Sequence, residues 1–366
     1  LTFDTGLVHT FYGDYHFLSN ASSTISSAGK TFNGDILFNR SLGQWNLSDE
    51  MIVSGEIGLR SGEFNTMDQN LIAGNINANL GTQLRTIDFG SSIVTLIEEG
   101  LALDLRGNTT NLTVLNTSAV LNFTNTDDIV VEVGAIAKTI PTMRFINCSG
   151  SIEIITGSVE DNTNRITFGD IEVLIDGVEF IIDSNNDDSN IKTYGSITLP
   201  NNCRYIIGSG DGTGGYGGTD HTIFNDDFIV GNGGQGDMHG RYVEFLSDFI
   251  IGEDSDCRFS RDVQFQGDFS VNGTDLAHII LDQDAEFAGN LNFSGTNIVR
   301  IDGETNIVGD LNIADDGNLT LQNNGGAATT SILGSINLGA ESIIDIGGGE
   351  IGDFTIDAID LLNEAQ

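Results

Sequence analysis

A seven-residue pattern with glycine at its third position recurs as FQGDFSV (265–271), FAGNLNF (287–293), IVGDLNI (307–313) and ILGSINL (332–338). Related copies stand near the beginning of the chain: FYGDYHF (11–17), FNGDILF (32–38), VSGEIGL (53–59) and IAGNINA (72–78). Apolar side chains at every second position after the glycine are typical of a β-strand with one buried face. The glycine marks a bend that a side chain would obstruct. The chain is therefore predicted to contain many short, equivalent strands.

The interval between these strands indicates how they connect. Seventeen anchor positions, with or without the glycine, can be placed between Gly13 and Gly352, about 21 residues apart on average. This interval has no room for a crossover helix of about 10–15 residues and its loops, so successive strands must stack as turns of a solenoid. Parallel crossovers are almost always right-handed. The sequence predicts an all-β, right-handed parallel β-helix of about 17 turns of about 21 residues, with 1–366 as a single domain.

The longest interval, from Gly195 to Asp226, contains the glycine-rich stretch GSGDGTGGYGGTD (208–220). A second such stretch, GNGGQGDMHG, follows at 231–240. Insertions in a solenoid protrude from a constant core and tend to form its binding face. We therefore expect Gly-rich insertion loops on one face within 196–240. The candidate binding residues there are Tyr216, His221, His239 and Arg241.

The composition excludes several functional classes. A net charge of −39, from 14 Lys+Arg against 53 Asp+Glu, excludes a nucleic-acid binder that neutralises phosphates. No run of 18 apolar residues is present to span a membrane. A hydrophobic content of 39 %, with 21 Phe, can fill a core and argues against disorder. Because the chain begins at Leu1 without a leader, we expect a processed or excised piece of a larger protein, with 356–366 as a terminal cap or connection.

Acidic residues follow the anchors at positions that should stack on successive turns. Unit charges about 5 Å apart repel by roughly 1 kcal/mol even in water, and a calcium ion would relieve this repulsion, as would solvation or a raised pKa. No cofactor is required by the pattern. The spacing of Gly and Asp in the glycine-rich stretches departs from the G-G-x-G-x-D repeat of calcium solenoids. The candidate calcium ligands are Asp227, Asp248, Asp268 and Asp310 of the column, and Asp220 and Asp237 of the glycine-rich region.

Other chemistry-bearing residues are sparse. His221 and His239 leave a metal pair open, although scattered surface histidines are the commoner case. Three cysteines, Cys148, Cys203 and Cys257, match neither a disulfide framework nor a zinc site and are expected to be buried, with their pairing left open.

The only local concentration of positive charge consists of Arg241, Arg258 and Arg261, which lie among acidic residues. A lyase acting on uronates needs cations for the substrate carboxylate. Stacked turns bring any two aligned carboxylates near the separation found in retaining glycosidases, so that distance alone indicates nothing. No nucleophile elbow, Walker loop or dinucleotide fingerprint occurs.

The stretch FNTMDQNLIAGNINANLGTQLRTIDFGSSIVTL (64–96) resembles repeats in very large surface proteins of Bacteroidetes. The likeness rests on F-x-T-x-x-x-x-L-x-A-G at 64–74 and R-T-I-x-F-G-S-S-x-V-T-L at 85–96, and it is clear over roughly 11–125. It implies a β-helical segment of a secreted cell-surface adhesin, exported by the type IX system like those of gliding motility. This family has no catalytic motif to carry over.

The predicted function is that of a non-enzymatic structural and adhesive rod segment in an extracellular, cell-surface protein. It would present a binding face to glycans or other surfaces, and its partners would be neighbouring segments or subunits of a larger surface assembly. The alternative is a β-helical polysaccharide lyase or glycoside hydrolase. A cleft lined by Arg and aromatic side chains would favour the enzyme, whereas a flat acidic face favours the rod.

Overall fold

The computed structural model describes residues 1–3, 6, 12–106, 111–116, 118–134, 138–156, 165–184, 191–208, 221–240, 242–323, 330–346 and 354–360. Within this part of the chain there are 41 β-strands and no α-helix. The strands pair in parallel and form a β-solenoid, which confirms the predicted fold class. They belong to two sheets, called sheet 1 and sheet 2.

Sheet 1 consists of β1 (Tyr15–Phe17), β2 (Ser22–Ile25), β4 (Ile36–Leu47), β6 (Ile57–Asn65), β8 (Ile76–Asn77), β9 (Arg85–Asp88), β11 (Gly100–Leu105), β12 (Leu112–Leu115), β14 (Ile129–Val133), β17 (Ser151–Thr156), β20 (Glu179–Ser184), β23 (Arg204–Ile207), β26 (Gln235–Met238), β29 (Asp256–Phe259), β32 (Ala277–Leu281), β35 (Thr296–Ile301), β38 (Asn318–Asn323) and β40 (Ile343–Ile346).

Sheet 2 consists of β3 (Thr31–Phe32), β5 (Met51–Val53), β7 (Leu71–Ala73), β10 (Ile93–Leu96), β13 (Val120–Phe123), β15 (Lys138–Ile140), β16 (Thr142–Phe145), β18 (Arg165–Phe168), β19 (Ile171–Val173), β21 (Ile191–Tyr194), β22 (Ile197–Leu199), β24 (His221–Phe224), β25 (Phe228–Val230), β27 (Tyr242–Phe245), β28 (Phe249–Ile251), β30 (Asp262–Phe265), β31 (Phe269–Val271), β33 (Ala285–Phe287), β34 (Leu291–Phe293), β36 (Thr305–Ile307), β37 (Leu311–Ile313), β39 (Thr330–Leu338) and β41 (Phe354–Asp360).

The chain divides into two compact units, residues 1–175 with 182–186 and residues 176–181 with 187–366. In the second unit, two consecutive strands of a turn lie in sheet 2 and the third lies in sheet 1, as β27, β28 and β29 do. The turns stack in register: Phe228 pairs with Phe249, and Phe249 with Phe269. In the first unit, Ile36 pairs with Tyr15 and with Ile57 in the same way.

Within the described residues the solenoid has about 13 turns, fewer than the predicted 17. Turns in the middle of the first unit are longer than the average spacing of the anchors, since the register partner of Ile93 one turn later is Val120. As a result, two predicted anchors fall in one turn, with Leu112 in β12 and Ile129 in β14. The anchor at Gly352 is also out of phase: Ile336, two residues after the preceding anchor, pairs with Ile359, whereas Phe354, two residues after Gly352, pairs with Thr330. Residues 356–360 thus continue sheet 2, and 361–366 lie outside the described residues.

Stacked aromatic rings fill the interior of the second unit. Phe224, Phe245, Phe265 and Phe287 form one column, with successive ring centroids 4.7–5.0 Å apart and interplanar angles of 5–11°. A second column through Phe249 meets the first edge-on, with its ring centroid 4.7 Å from that of Phe245. All these rings are buried. Offset-stacked and edge-to-face pairs are the preferred aromatic geometries, so the columns stabilise the stacking of turns beyond area burial.

The glycine of the repeated motif has a packing role. A Cβ atom on Gly289, Gly309 or Gly334 would overlap the carbonyl oxygen of the motif glycine one turn earlier. Turns approach each other so closely at this corner because the strands on either side remain paired at the usual separation of about 4.8 Å. Only glycine fits the position in each of these turns.

Candidate functional site

The predicted aspartate column exists, and its side chains bind the backbone of the next turn. Oδ1 of Asp227 accepts a hydrogen bond from the backbone N–H of Asp248 at 3.2 Å, and Oδ1 of Asp248 accepts one from Asp268 at 2.9 Å. The series continues through Asn290 to Asp310 with distances of 2.8–3.0 Å. Each side-chain oxygen therefore satisfies an N–H group at the bend, where strand pairing is interrupted.

Similar bonds form at other corners of the solenoid. Oδ1 of Asp68 accepts from the backbone N–H and the hydroxyl of Ser91, and Asp128 does the same with Ser151. The backbone hydrogen bond, followed by the serine hydroxyl, lowers the pKa of both carboxyl groups. Carboxylates at corners of the solenoid are thus structural acceptors in both units.

The hydrogen bonds of the aspartate column reduce the number of carboxylate oxygens available to a calcium ion. One oxygen of each column carboxylate is occupied by an N–H group, and Asn290 interrupts the carboxylate series. No group of three or more His, Cys, Asp or Glu side chains that could hold a metal ion occurs among the described residues. Asp237 lies in β26 of sheet 1, whereas the column borders sheet 2, so the structure does not bring Asp237 to it. Asp220 lies outside the described residues.

The predicted binding residues are only partly within the described chain. Tyr216 and Arg241 lie outside it, as does nearly all of the glycine-rich stretch 208–220. His221 begins β24 and lies edge-on to Tyr242, with ring centroids 4.5 Å apart, while its Nε2 is 3.3 Å from a carboxylate oxygen of Glu244. His239 follows β26, and its N–H donates to the carbonyl of Ile207. The two histidines are thus on different sheets.

A groove of about 350 Å³ lies on the outer face of β23, β26, β29 and β32 in sheet 1. Strand alternation places Tyr205 and Cys257 inward, so the neighbouring side chains point outward. Register aligns these outward side chains on four successive turns. The outward residues that line the groove are Arg204, Gln235, Asp237, Asp256, Arg258, His278 and Ile280.

Each basic side chain of this groove is paired with a carboxylate. Arg204 pairs with Glu179, Arg258 Nε lies 2.6 Å from Asp282 Oδ2, and His278 Nδ1 lies 2.8 Å from Asp256 Oδ1. The Arg204 and Arg258 side chains remain 60 % and 49 % exposed. The pairs therefore orient the cations at a wet surface and also offset their charge.

The buried side chains at the floor of the groove are chemically unreactive. The ring of Tyr205 occupies the space that a side chain on Gly236 would fill, and Tyr205 is buried. Burial raises the pKa of the Cys257 thiol to about 12, and burial together with Glu179 raises that of Cys203 to about 12. Both thiols are protonated near neutral pH and so are poor nucleophiles. All three cysteines are buried and free.

A second groove, of about 290 Å³, lies on the outer face of sheet 2. Its side chains are mainly acidic, and Gln264 Nε2 donates to Glu286 Oε2 at 3.0 Å. Burial, then the charges of Glu244, Glu286 and Asp262, raises the pKa of Tyr242 at one end of this groove. The charged residues that line it are Asp262, Asp284, Glu286 and Glu304.

The comparisons with known proteins identify no relative: no family model, no curated protein and no solved structure matches the chain. No helix of the described residues is long and apolar enough to cross a membrane. Function must therefore be argued from the fold and its surfaces.

Sequence reasoning identified only part of the sheet 1 groove. Arg258 belongs to the predicted concentration of positive charge, and Asp237 is among the candidate calcium ligands. The alignment of Arg204, Gln235, Asp256 and His278 with them was missed. Their outward positions follow from strand alternation, but their alignment requires the register between turns of unequal length.

Proposed function

We propose that the chain is a non-enzymatic structural and adhesive segment of a secreted cell-surface protein, of the type IX-exported adhesin kind that 64–96 resembles. The observation that carries the proposal is the continuous ladder within each unit, in which apolar columns, motif glycines and side-chain oxygens repeat from turn to turn. Such repetition stabilises each turn mainly through its neighbours and creates long exposed faces.

The surface charges support binding rather than catalysis on acidic substrates. The arginines of the sheet 1 groove are paired with carboxylates, and the charged residues lining the sheet 2 groove are acidic. A net charge of −39 keeps such a segment soluble outside the cell and repels anionic surfaces. Neighbouring segments or subunits of a larger surface assembly are the partners expected at the ends of the stack.

The alternative, a polysaccharide lyase or glycoside hydrolase, has one observation in its favour. Two arginines, a histidine and two aspartates meet in a single groove of the size that small ligands occupy. A lyase would need Arg258 to hold a substrate carboxylate beside Asp237 and Asp282, and repulsion from these two carboxylates costs part of the substrate's binding energy.

Two measurements test the proposal. Antibodies against the chain should label intact cells that produce it, and beads coated with the purified chain should adhere to surfaces from which uncoated beads wash off. Incubation with a panel of neutral and acidic polysaccharides should release neither reducing ends nor unsaturated uronates. Cleavage of any polysaccharide, abolished by Arg258→Gln, would favour the enzyme.

A further inference from the structure

We propose that the sheet 1 groove is a binding subsite for a neutral oligosaccharide, with Asp237 and Arg258 as its central contacts. This inference rests on the proposed function and names the ligand class of that adhesive surface. It starts from the polar atoms that the groove leaves unused.

Asp237 and Arg258 are register partners on adjacent strands, yet they form no ion pair. Arg258 instead directs Nε to Asp282, which leaves its two terminal nitrogens without a partner in the described part of the chain. The Asp237 side chain likewise has no hydrogen-bond partner among the described residues. A carboxylate and a guanidinium are thus held side by side with free acceptors and free donors.

The side chains that flank this pair also offer unused hydrogen-bond donors and acceptors. His278 uses Nδ1 on Asp256 and leaves Nε2 free, and the exposed Gln235 amide has no partner among the described residues. Donors and acceptors therefore alternate over four stacked turns, or about 14 Å at the usual strand spacing. A run of hydroxyl groups, each both donor and acceptor, matches this alternation.

The charge balance selects a neutral ligand. Four carboxylates, Asp237, Asp256, Glu179 and Asp282, lie around Arg204 and Arg258, so the carboxylates outnumber the guanidinium groups. Asp237 and Asp256 are diagonal neighbours on adjacent strands, about 7–8 Å apart, which is comparable to the Debye length of about 8 Å at physiological salt, so salt screens their charges only in part. A uronate would approach a net negative surface, whereas hydroxyl groups meet no such repulsion.

The groove is also pre-organised. Its side chains stand on β-strands, and Asp282 fixes Arg258 from one side while Arg300 Nη2 holds Asp282 from the other at 3.2 Å. The Arg258 side chain therefore has little freedom to lose on binding. The groove volume, about 350 Å³, is at the lower end of the range of about 300–1,000 Å³ for small-ligand sites.

The test uses the whole chain and saturation-transfer NMR with four neutral hexasaccharides (β-1,4-glucan, β-1,3-glucan, β-1,4-mannan and β-1,4-xylan) and with hexagalacturonate as the anionic probe. We expect at least one neutral hexasaccharide to bind. Asp237→Asn and Arg258→Gln should each weaken that binding at least tenfold, which corresponds to about 1.4 kcal/mol.

Arg144→Gln is the matched control, because it also removes a guanidinium from an exposed ion pair, that with Glu172 in sheet 2, but lies outside the groove lining. It should change binding less than twofold. The far-UV circular dichroism of each variant shows whether the fold is kept. Because two groove variants are measured, the subsite is still tested if one of them does not fold.

The subsite is wrong if no neutral hexasaccharide binds, if hexagalacturonate binds better, or if both groove variants bind like the wild type. Surface labelling and bead adhesion that persist in those cases would leave the adhesive function standing. Neutral-glycan binding without surface labelling would instead overturn the proposed location and keep the subsite.

Discussion

At the scale of single residues, two small features hold the turns together. The motif glycine lets one turn contact the carbonyl of the previous turn, and the acid that follows it accepts an N–H group of the next turn. Both features depend on repetition, because each residue acts on its equivalent one turn away.

Gly289→Ala is expected to destabilise the fold. The added methyl group would overlap the carbonyl oxygen of Gly267, and relieving such overpacking costs about 1–3 kcal/mol in the free energy of unfolding. Urea unfolding followed by circular dichroism measures it. Val308→Ala, at an exposed corner position beside Gly309, should change the free energy by less than about 0.5 kcal/mol. Equal stability of the Gly289 variant and the wild type would contradict the packing role.

Asp68 and Asp128 should make stability depend on pH on the acid side. Their carboxyl pKa values are lower in the folded than in the unfolded chain, so their contribution is present above the unfolded value and is lost as pH falls through the folded value. The double variant Asp68→Asn with Asp128→Asn should therefore lose less thermal stability than the wild type between about pH 5 and about pH 2.

Melting curves over that pH range measure the effect. Asp345→Asn is the control, because no hydrogen bond to its carboxylate occurs within the described chain. If the double variant and the wild type lost the same thermal stability as the pH fell, other groups would control acid unfolding.

At the scale of elements, side-chain columns join strands that are far apart in sequence. The Phe column of sheet 2 and the Asp column at its corner run along the same turns. Buried rings contribute the larger share of stability, since one hydrogen bond adds only about 0.5–1.5 kcal/mol net.

Phe245→Ala should remove about 3–5 kcal/mol, the usual cost of a cavity left by a buried aromatic ring. Its ring contacts Phe224 and Phe265 by stacking and Phe249 edge-on. Leu246→Ala, at the neighbouring position with a 44 % exposed side chain, is the matched comparison and should be nearly neutral. The ranking would be contradicted if the two variants unfolded at the same urea concentration.

Asp248→Ala should cost about 0.5–2 kcal/mol, because the N–H of Asp268 loses its acceptor. Asp248→Asn should restore most of the stability, since Asn290 already performs this role in the same column. Equilibrium unfolding of the two variants measures whether Asp248→Ala costs more stability than Asp248→Asn. If Asn were as damaging as Ala, the carboxylate charge itself would be required, as expected for a cation ligand.

At the scale of the whole molecule, charge is the dominant property. Fifty-three acidic residues against 14 basic ones give strong self-repulsion in the compact state. The melting temperature should therefore rise with sodium chloride concentration, because salt shortens the Debye length from about 30 Å at 0.01 M to about 8 Å at physiological ionic strength.

Calcium can be separated from this screening by adding millimolar calcium chloride at constant ionic strength, followed by excess EDTA. Binding to the folded state raises the melting temperature beyond the salt effect. An additional rise that EDTA reverses would confirm the predicted calcium. Without one, the predicted calcium ligands Asp227, Asp248, Asp268 and Asp310 act only as backbone acceptors.

The sequence alone determined the class of fold. Apolar side chains at every second position mark short strands, and their recurrence about every 21 residues requires these strands to stack in parallel on successive turns. It also placed the aspartate column in the correct register from Asp227 to Asp310, where the turns are nearly equal in length and the motif glycine or a similar small residue marks each turn.

The tertiary structure decided the number of turns and the contents of the groove. Between Ile93 and Ile171 the turns vary in length and the anchors weaken, so sequence spacing no longer reveals which residues are neighbours. The groove depends on the same information, because Asp237 and Arg258 meet only through register across a turn, and Arg258 turns away to Asp282. Hydrophobic periodicity specifies which face of a strand is buried, but only hydrogen bonding between turns selects the partner of each exposed side chain.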